Sequence, residues 1–543
     1  MDGLELHKFE SLSPFEIKDE LIKLAKKTSR TTQSAFLNAG RGNPNWIATT
    51  PREGYFLLGQ FAVTESKRVM EHPAGLGGMP QAQGIAGRLE AWVTKHSDMP
   101  GANFLSSTVR FAVKKFGFEP DAFVHELVDS IIGDNYPVPD RMLVHNERVV
   151  HEYLMWAVCG DPVPAGKFDL FSVEGGTAAM CYIFKSLKNN RLLRSGDTIA
   201  LGTPIFTPYL ELPHLEDYGL HFVNIAAPQE NRFQFTDAEI KKLEDPKIKA
   251  FFVVNPGNPT GMALSRDVIA KIANLVKTKR PDLLILTDDV YGTFVENFRS
   301  LLGELPHNTI GVYSYSKYVG CTGWRLGVIA IHEDNIFDKR IANLPEAELK
   351  ALDKRYGALT LEPRKIKFID RIVADSRDVA LNHTSGLALP QQVMMTMFSL
   401  AELMDVNKQY QKACMEILHR RAWALIDGLG LEDITPNPLY DAYYGLIDFE
   451  FFARKNLGEE AVEYLKKNVH PLDLAFRLAA DRGIVLLNGG GFEAPDWSLR
   501  VSLANLDDEV YEEIGRGVRS IARGYRDAFE AAKRAEKTKR AAA

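Results

Sequence analysis

Apolar residues along this chain fall into two rhythms. Short continuous apolar runs recur at Phe168–Val173, Thr198–Leu201, His221–Ile225, Ile248–Val254, Leu283–Thr287 and Thr309–Tyr315. Each has the length and density of a strand buried on both faces. Amphipathic stretches separate them. One is Asp237–Glu244, opened by Thr236-Asp-Ala-Glu239, which reads as a capping box; another is Arg266–Lys277, which Ser265 is placed to cap. The alternation predicts an α/β domain with a largely parallel sheet covered by helices on both faces. In such sheets ligands sit outside the carboxyl ends of the strands, so chemistry is expected in the loops after these runs.

The flanks have other patterns. A first helix is expected from Ser13-Pro14-Phe15-Glu16, with Ile17, Leu21 and Leu24 on one face. A turn-rich segment, Asn38 to Trp46, follows it. Residues 66–165 carry glycines, helical stretches and aromatics without a strand rhythm, and residues 335–380 are strongly charged and helical. The second stretch reads as an inserted, mostly solvated subdomain. A last helix is expected from Asp507 to about Phe529, with its acids at the amino end, where the helix dipole favours them.

Composition narrows the function classes. At 543 residues the chain exceeds one compact core, and two to four domains are expected. A net charge of −6, from 65 basic and 71 acidic side chains, leaves no basic surplus for nucleic acid. Cys159, Cys181, Cys321 and Cys414 show no paired spacing, so neither a disulfide framework nor a zinc site is expected. No basic leader with an apolar run appears, and no stretch of about 18 apolar residues. The expectation is a soluble cytoplasmic protein without a metal and without membrane or nucleic-acid partners.

Chemistry-bearing residues gather after the predicted strands. Lys317 lies in Tyr313-Ser-Tyr-Ser-Lys317, with Ser314 and Ser316 before it and Arg325 in the same loop. A lysine amine forms a Schiff base with an aldehyde cofactor, while hydroxyls and a guanidinium hold a phosphate dianion. Asp288 and Tyr291 end another strand, and a carboxylate there can keep a pyridine nitrogen protonated. Asn258 sits in Asn255-Pro-Gly-Asn-Pro-Thr-Gly261. Gly175-Gly176-Thr177-Ala178 follows a strand and opens a helix, where backbone N–H groups favour an anion. Phe206 follows the next strand and can stack on a flat ring. Near the end, Arg500 lies in a predicted strand, and an arginine pointing into a site clamps a carboxylate.

Asn-Pro-x-Asn-Pro-Thr-Gly, then Asp-x-x-Tyr, then Ser-x-Ser-Lys with Gly-x-Arg-x-Gly, in that order, resembles the aspartate aminotransferase superfamily of fold type I, from about Asn38 to Leu506. That family binds pyridoxal 5′-phosphate (PLP). The resemblance implies a large domain with a mostly parallel seven-stranded sheet and a smaller α/β domain. Residues 1–60 would form an amino-terminal arm and part of the small domain. Residues 61–386 would form the large domain, with insertions near 66–165 and 335–380, and 387–543 the rest of the small one. It also implies residue roles. Lys317 would carry the cofactor, Asp288 would pair with its ring nitrogen, and Asn258 and Tyr291 would bind its 3′-oxygen. Gly176, Thr177, Ala178, Ser314, Ser316 and Arg325 would cup the phosphate, and Phe206 would stack on the ring. Tyr136, in Asp134-Asn-Tyr-Pro-Val-Pro139, would reach the phosphate of a neighbouring subunit, so a dimer or larger assembly is expected. Arg500 would bind the substrate α-carboxylate.

The chain is longer than most of that family, and Ala39-Gly-Arg41-Gly-Asn-Pro-Asn-Trp46 puts an arginine in a loop that usually contacts substrate. With Tyr313 to Gly320 and Gly175 to Met180, these features resemble the branch that removes the β-carboxylate of L-aspartate to leave L-alanine, with aspartate transamination as a side activity. Arg41, or less directly Arg377, would orient the distal carboxylate. A 2-oxo acid such as pyruvate or 2-oxoglutarate would serve transamination. The alternatives are a plain aspartate or broad amino-acid aminotransferase and, remotely, a PLP-binding transcription regulator, for which neither the charge nor residues 1–37 supply a DNA-binding element. The partition between decarboxylation and transamination is not legible in these motifs, nor is the proton donor at the β-carbon.

Overall fold

Seven strands form the central sheet: β1 (Phe168–Val173), β2 (Thr198–Thr203), β3 (His221–Ala226), β4 (Ile248–Val254), β5 (Leu284–Asp288), β6 (Thr309–Ser314) and β7 (Gly327–His332). Their order across the sheet is β1-β7-β6-β5-β4-β2-β3. All neighbours are parallel except β7, which runs antiparallel to both β1 and β6. The computed structural model describes residues 6–10, 12–32, 35–212, 218–382, 384, 386–432 and 435–542.

The sequence reading found six of the strands and no run for β7. The continuous apolar runs reflect cores on both faces. In β4, Ala250, Phe252 and Val254 face one core, and Phe251 and Val253 face the other. The helix Gly176–Asn189 covers the first face through Ala179, Met180 and Ile183, and Arg266–Thr278 covers the second through Val268, Ile269 and Ile272. Ser265 caps the latter, its hydroxyl accepting from the Val268 N–H at 3.2 Å. The capping box at Thr236 is only half made. Its hydroxyl accepts from the Glu239 N–H at 3.3 Å, but the Glu239 carboxylate turns to the Ala226 N–H at the end of β3, at 2.7 Å.

Residues 66–165 hold helices joined by loops and no strand of the sheets. Thr49–Val69, Ile85–Lys95, Ala102–Phe116, Pro120–Ile132 and Val144–Leu154 share a core with the helix Leu389–Met404. The charged stretch 335–380 is less solvated than its composition implied. Phe337, Ile341, Leu352, Tyr356, Phe368, Ile369 and Ile372 join the core under Gly176–Asn189. Part of its charge is paired internally. Arg355 meets the buried Asp375 at 2.6 Å, and the buried Arg371 donates to the carbonyls of Pro363 and Ile366. Charge counted along a sequence does not distinguish a solvated ion from one turned inward.

Three short antiparallel strands lie in the carboxyl-terminal part: β8 (Tyr444–Asp448), β9 (Leu487–Asn488) and β10 (Ser498–Ser502), in the order β9-β10-β8. Leu37–Asn38 pairs in parallel with Ile484–Val485, which ties the amino-terminal segment to this region. The last helix runs from Val510 to Ala542, further than its apolar pattern suggested. Among the described residues, no helix is long and apolar enough to cross a membrane.

Candidate active site

Strand register assembles the site. Val254, Asp288 and Val312 lie side by side across β4, β5 and β6, so the loops that follow these strands emerge at one edge. Those loops carry Asn258, Tyr291 and Lys317. Because β7 runs the other way, it begins where the others end. Gly327 stands opposite both Ser314 and Val173, which brings Arg325 to the same edge as Gly175 and Gly176. The approach is close: a Cβ on Gly327 would lie 2.6 Å from the Gly175 Cα. Gly176 opens a fourteen-residue helix whose first N–H groups have no partner within the helix.

One cavity of about 370 Å³ results. Gly176, Thr177, Phe206, Asn258, Asp288, Tyr291, Ser314, Ser316, Lys317, Arg325 and Arg500 all line it. Lys317 Nζ donates to the Gly42 carbonyl at 2.8 Å, and the Tyr443 hydroxyl donates to the same oxygen at 2.9 Å. Asp288 is buried and accepts from the Tyr209 hydroxyl and from the Val290 N–H. Burial pushes its carboxyl up to about 6, against the opposing pull of those two bonds and of Lys317. Its neighbour Asp289 is pushed up to about 8 by burial; it turns away to the hydroxyls of Ser300 and Thr287.

Arg500 is buried at the far side of the cavity. Its guanidinium donates to Asn258 Oδ1 at 3.2 Å and to the Gly40 carbonyl at 3.1 Å. Among the described residues its Nε–H has no partner. The Tyr444 ring lies 4.3 Å from the guanidinium carbon, and Phe492 lies at 5.0 Å. A buried cation with an unmet donor, walled by aromatic rings, is suited to a carboxylate.

Other expected residues fall elsewhere. Arg41 is exposed and does not line the cavity, although Gly42 and Asn43 beside it do. Arg377 pairs with Asp140 at 2.8 Å and lines a separate surface cavity with Arg141 and Asp370. Ala178 sits one residue beyond the lining, in the first turn of its helix. Tyr136 is 68% exposed and outside the cavity.

Among the lining or bracing residues that went unread in the sequence are Phe15, Gly42, Tyr209, Tyr443 and Tyr444. Tyr209 follows Phe206 by three residues in a short helix, a spacing that puts both beside one site. Tyr444 opens, and Tyr443 directly precedes, the strand paired with that of Arg500, a strand too short to stand out from its surroundings. Phe15 enters from the first helix, packing 5.7 Å from Phe206 and 6.0 Å from Phe492.

Comparison with known proteins adds to this geometry. The family described as aminotransferase class I and II matches residues 175–517. A bifunctional aspartate aminotransferase and L-aspartate beta-decarboxylase of Pseudomonas sp is 48% identical over 513 residues, covering 94% of this chain and 96% of that protein. Among solved structures, a double mutant of Thermus thermophilus aspartate aminotransferase matches with a TM-score of 0.53 and 16% identity, over 93% of this chain and 96% of its own. The N-succinyldiaminopimelate aminotransferase of Mycobacterium tuberculosis matches with a TM-score of 0.55 and 17% identity, over 95% and 98%. At those identities the structural likeness speaks for the fold alone, and the fold it supports is that of the aspartate aminotransferases.

Proposed function

This chain belongs to the class I and II aminotransferases, and from that premise we propose that it binds PLP at Lys317 and converts L-aspartate to L-alanine and CO₂, with aspartate transamination as a side activity. The choice of aspartate and of β-decarboxylation rests on the Pseudomonas relative, which matches this chain nearly end to end. The cofactor reading rests on one observation, the charge pattern of the cavity. A lysine amine stands at its centre, and a buried carboxylate without a full counter-ion lies beneath. A helix amino end and a guanidinium stand at its mouth. An aldehyde, a pyridinium and a phosphate dianion on one molecule answer those three features, so the residues fit the group.

Bound there, PLP supplies an electrophilic carbon for the substrate's amino group and a cationic ring that draws electrons from the substrate's carbon skeleton. The protein's own groups do the rest. Asp288, ionised beside a ring cation, keeps the ring nitrogen protonated. Asn258 and Tyr291 bond the ring oxygen, and Phe206 flanks the ring. The N–H groups of Gly176, Thr177 and Ala178 hold the phosphate with Ser314, Ser316 and Arg325. Arg500 grips the α-carboxylate and so fixes the substrate about Cα. The Lys317 amine takes the Cα proton and later returns one. Among the described residues Arg500 is the only buried arginine lining the cavity, so a β-carboxylate is not clamped by a second one and is free to leave. Arg41, adjoining Gly42, orients that group on substrate entry. Tyr136, exposed on the single chain, serves the site of a second copy, so the working unit is a dimer or larger.

The test is to supply aspartate and PLP without a 2-oxo acid and to follow products. Sustained, equimolar CO₂ and alanine are expected. Turnover that depends strictly on added 2-oxo acid and yields oxaloacetate would replace this reading with a plain aspartate aminotransferase.

A further inference from the structure

Tyr444 opens β8, is buried, and stands between Lys317 and Arg500, two of the cations that line the cavity. Its ring lies 4.3 Å from the Arg500 guanidinium carbon. Its hydroxyl and the Lys317 amine converge on one place: a Cβ on Gly42 would stand 2.9 Å from the first and 3.2 Å from the second. Tyr291 donates to the Tyr444 hydroxyl at 3.3 Å. The phenol therefore lies between the amine that serves Cα and the guanidinium that holds the α-carboxylate, where the substrate carbons must sit.

The proposed reaction needs a group in that place. When the β-carboxylate leaves as CO₂, the electron pair of the broken C–C bond stays on the substrate side, and Cβ must gain a proton. Lys317 is engaged at Cα. Resting on the function proposed above, we infer that Tyr444 donates the proton that replaces the β-carboxylate of aspartate. The O–H bond breaks and a C–H bond forms at Cβ from the retained pair, leaving a phenolate. That phenolate takes a proton from the Lys317 ammonium or from water, so the net change is aspartate plus one solvent proton to alanine plus CO₂.

The surroundings suit a phenol that must carry negative charge briefly. In the cofactor-free protein burial pushes its ionisation up, but the nearby Lys317 and Arg500 and the Tyr291 hydrogen bond outweigh burial and hold Tyr444 below the ordinary tyrosine value; the Arg500 charge stays beside it when the Tyr291 hydroxyl serves the ring oxygen. Asp441, in the turn before it, acts in the opposite sense. Tyr291 and Tyr443, in the same cluster, are both pushed well above the ordinary value, chiefly by burial. Tyr444 alone of the three is set up to give its proton away.

Two measurements on Tyr444→Phe test this. The first is the ratio of alanine to oxaloacetate formed per aspartate consumed, which does not depend on the fraction of enzyme that folds. It is expected to fall at least about tenfold, equivalent to about 1.4 kcal/mol on one branch. The second uses the cofactor-free protein and follows ultraviolet phenolate absorbance against pH. The wild type is expected to show a phenolate appearing below the usual value of about 10, and Tyr444→Phe to lack it. An unchanged product ratio, or the same early phenolate in the variant, overturns the inference. Should Tyr444→Phe not accumulate, Tyr444→His keeps a titrating donor, and its product ratio is expected to decline with rising pH across the histidine range; a flat profile counts against the role. A wild type that makes no alanine at all defeats the proposed function instead, so the two failures are distinct.

Discussion

The Tyr209 phenol donates a 2.7 Å hydrogen bond to Oδ2 of Asp288, and both groups are buried beneath the cavity. Among the described residues the only other bond to that carboxyl is the longer one from the Val290 N–H to Oδ1, at 3.3 Å. Tyr209 is thus the main protein donor that favours the ionised form of Asp288, the form that a ring cation above it requires. Replacing Tyr209 with Phe removes a hydrogen bond to a charged group, worth about 1.5–3 kcal/mol. PLP affinity, measured by absorbance titration, is expected to fall about tenfold or more. Unchanged affinity would mean that Asp288 is not the partner of the ring.

Asp288 also sets a pH dependence for the cofactor-free protein. Its carboxyl ionises near 3.8 when exposed and at about 6 when buried here. A raised value means that the folded state binds the proton more tightly. The fold is therefore most stable below the unfolded value and loses stability as pH rises through about 6. Asp288→Asn removes that loss, and its thermal stability relative to wild type is expected to grow by about 1–2 kcal/mol between pH 5 and pH 8. Asp289, pushed up to about 8 chiefly by burial and in lesser part by the Asp288 charge, loses that lesser part in the variant, which acts in the same direction. With PLP present the order reverses, because the variant lacks a counter-ion for the ring.

Arg500 presents a planar fork, with two N–H groups engaged by Asn258 and Gly40 and Nε–H unmet. Arg500→Lys keeps the charge but not the fork. The expected outcome is a KM for aspartate raised about ten- to a hundredfold, following a loss of about 1.4–3 kcal/mol in carboxylate binding. The spectrum of bound cofactor should be retained. A KM within twofold of wild type would place the α-carboxylate elsewhere.

Tyr136 allows a test of shared sites. If it completes the phosphate site of a second copy, Tyr136→Phe binds PLP weakly and Lys317→Ala is inactive. A mixture re-assembled from the two then contains sites with both groups intact. Activity above the sum of the separate variants is expected, up to half that of wild type in each hybrid dimer and so about a quarter in a random equal mixture, since one of two sites in a hybrid is intact and half of the dimers are hybrid. Strict additivity would show that Tyr136 acts within its own chain or not at all.

The sequence by itself determined the sheet and the loops that matter. Five of the six strands it revealed are buried along nearly their whole length, which writes them as continuous apolar runs, while the edge strand β3 is half exposed; a lysine, an aspartate and an asparagine after the buried runs fall at one edge by topology. It did not determine β7, whose antiparallel course carries Arg325 to that edge and joins the ends of β1 and β6. Nor did it show that the charged stretch 335–380 turns Arg371 and Asp375 inward, since formal charge along a chain carries no record of burial. The aromatic side of the site was likewise decided only by tertiary structure. Phe15, Tyr209, Tyr443 and Tyr444 lie far apart in sequence on elements too short or too ordinary to stand out. They meet at Lys317 and Arg500 because the amino-terminal segment pairs with Ile484–Val485 and because β8 lies against β10. Local patterning records which face of an element is buried; which groups share the space beyond its end depends on contacts hundreds of residues apart.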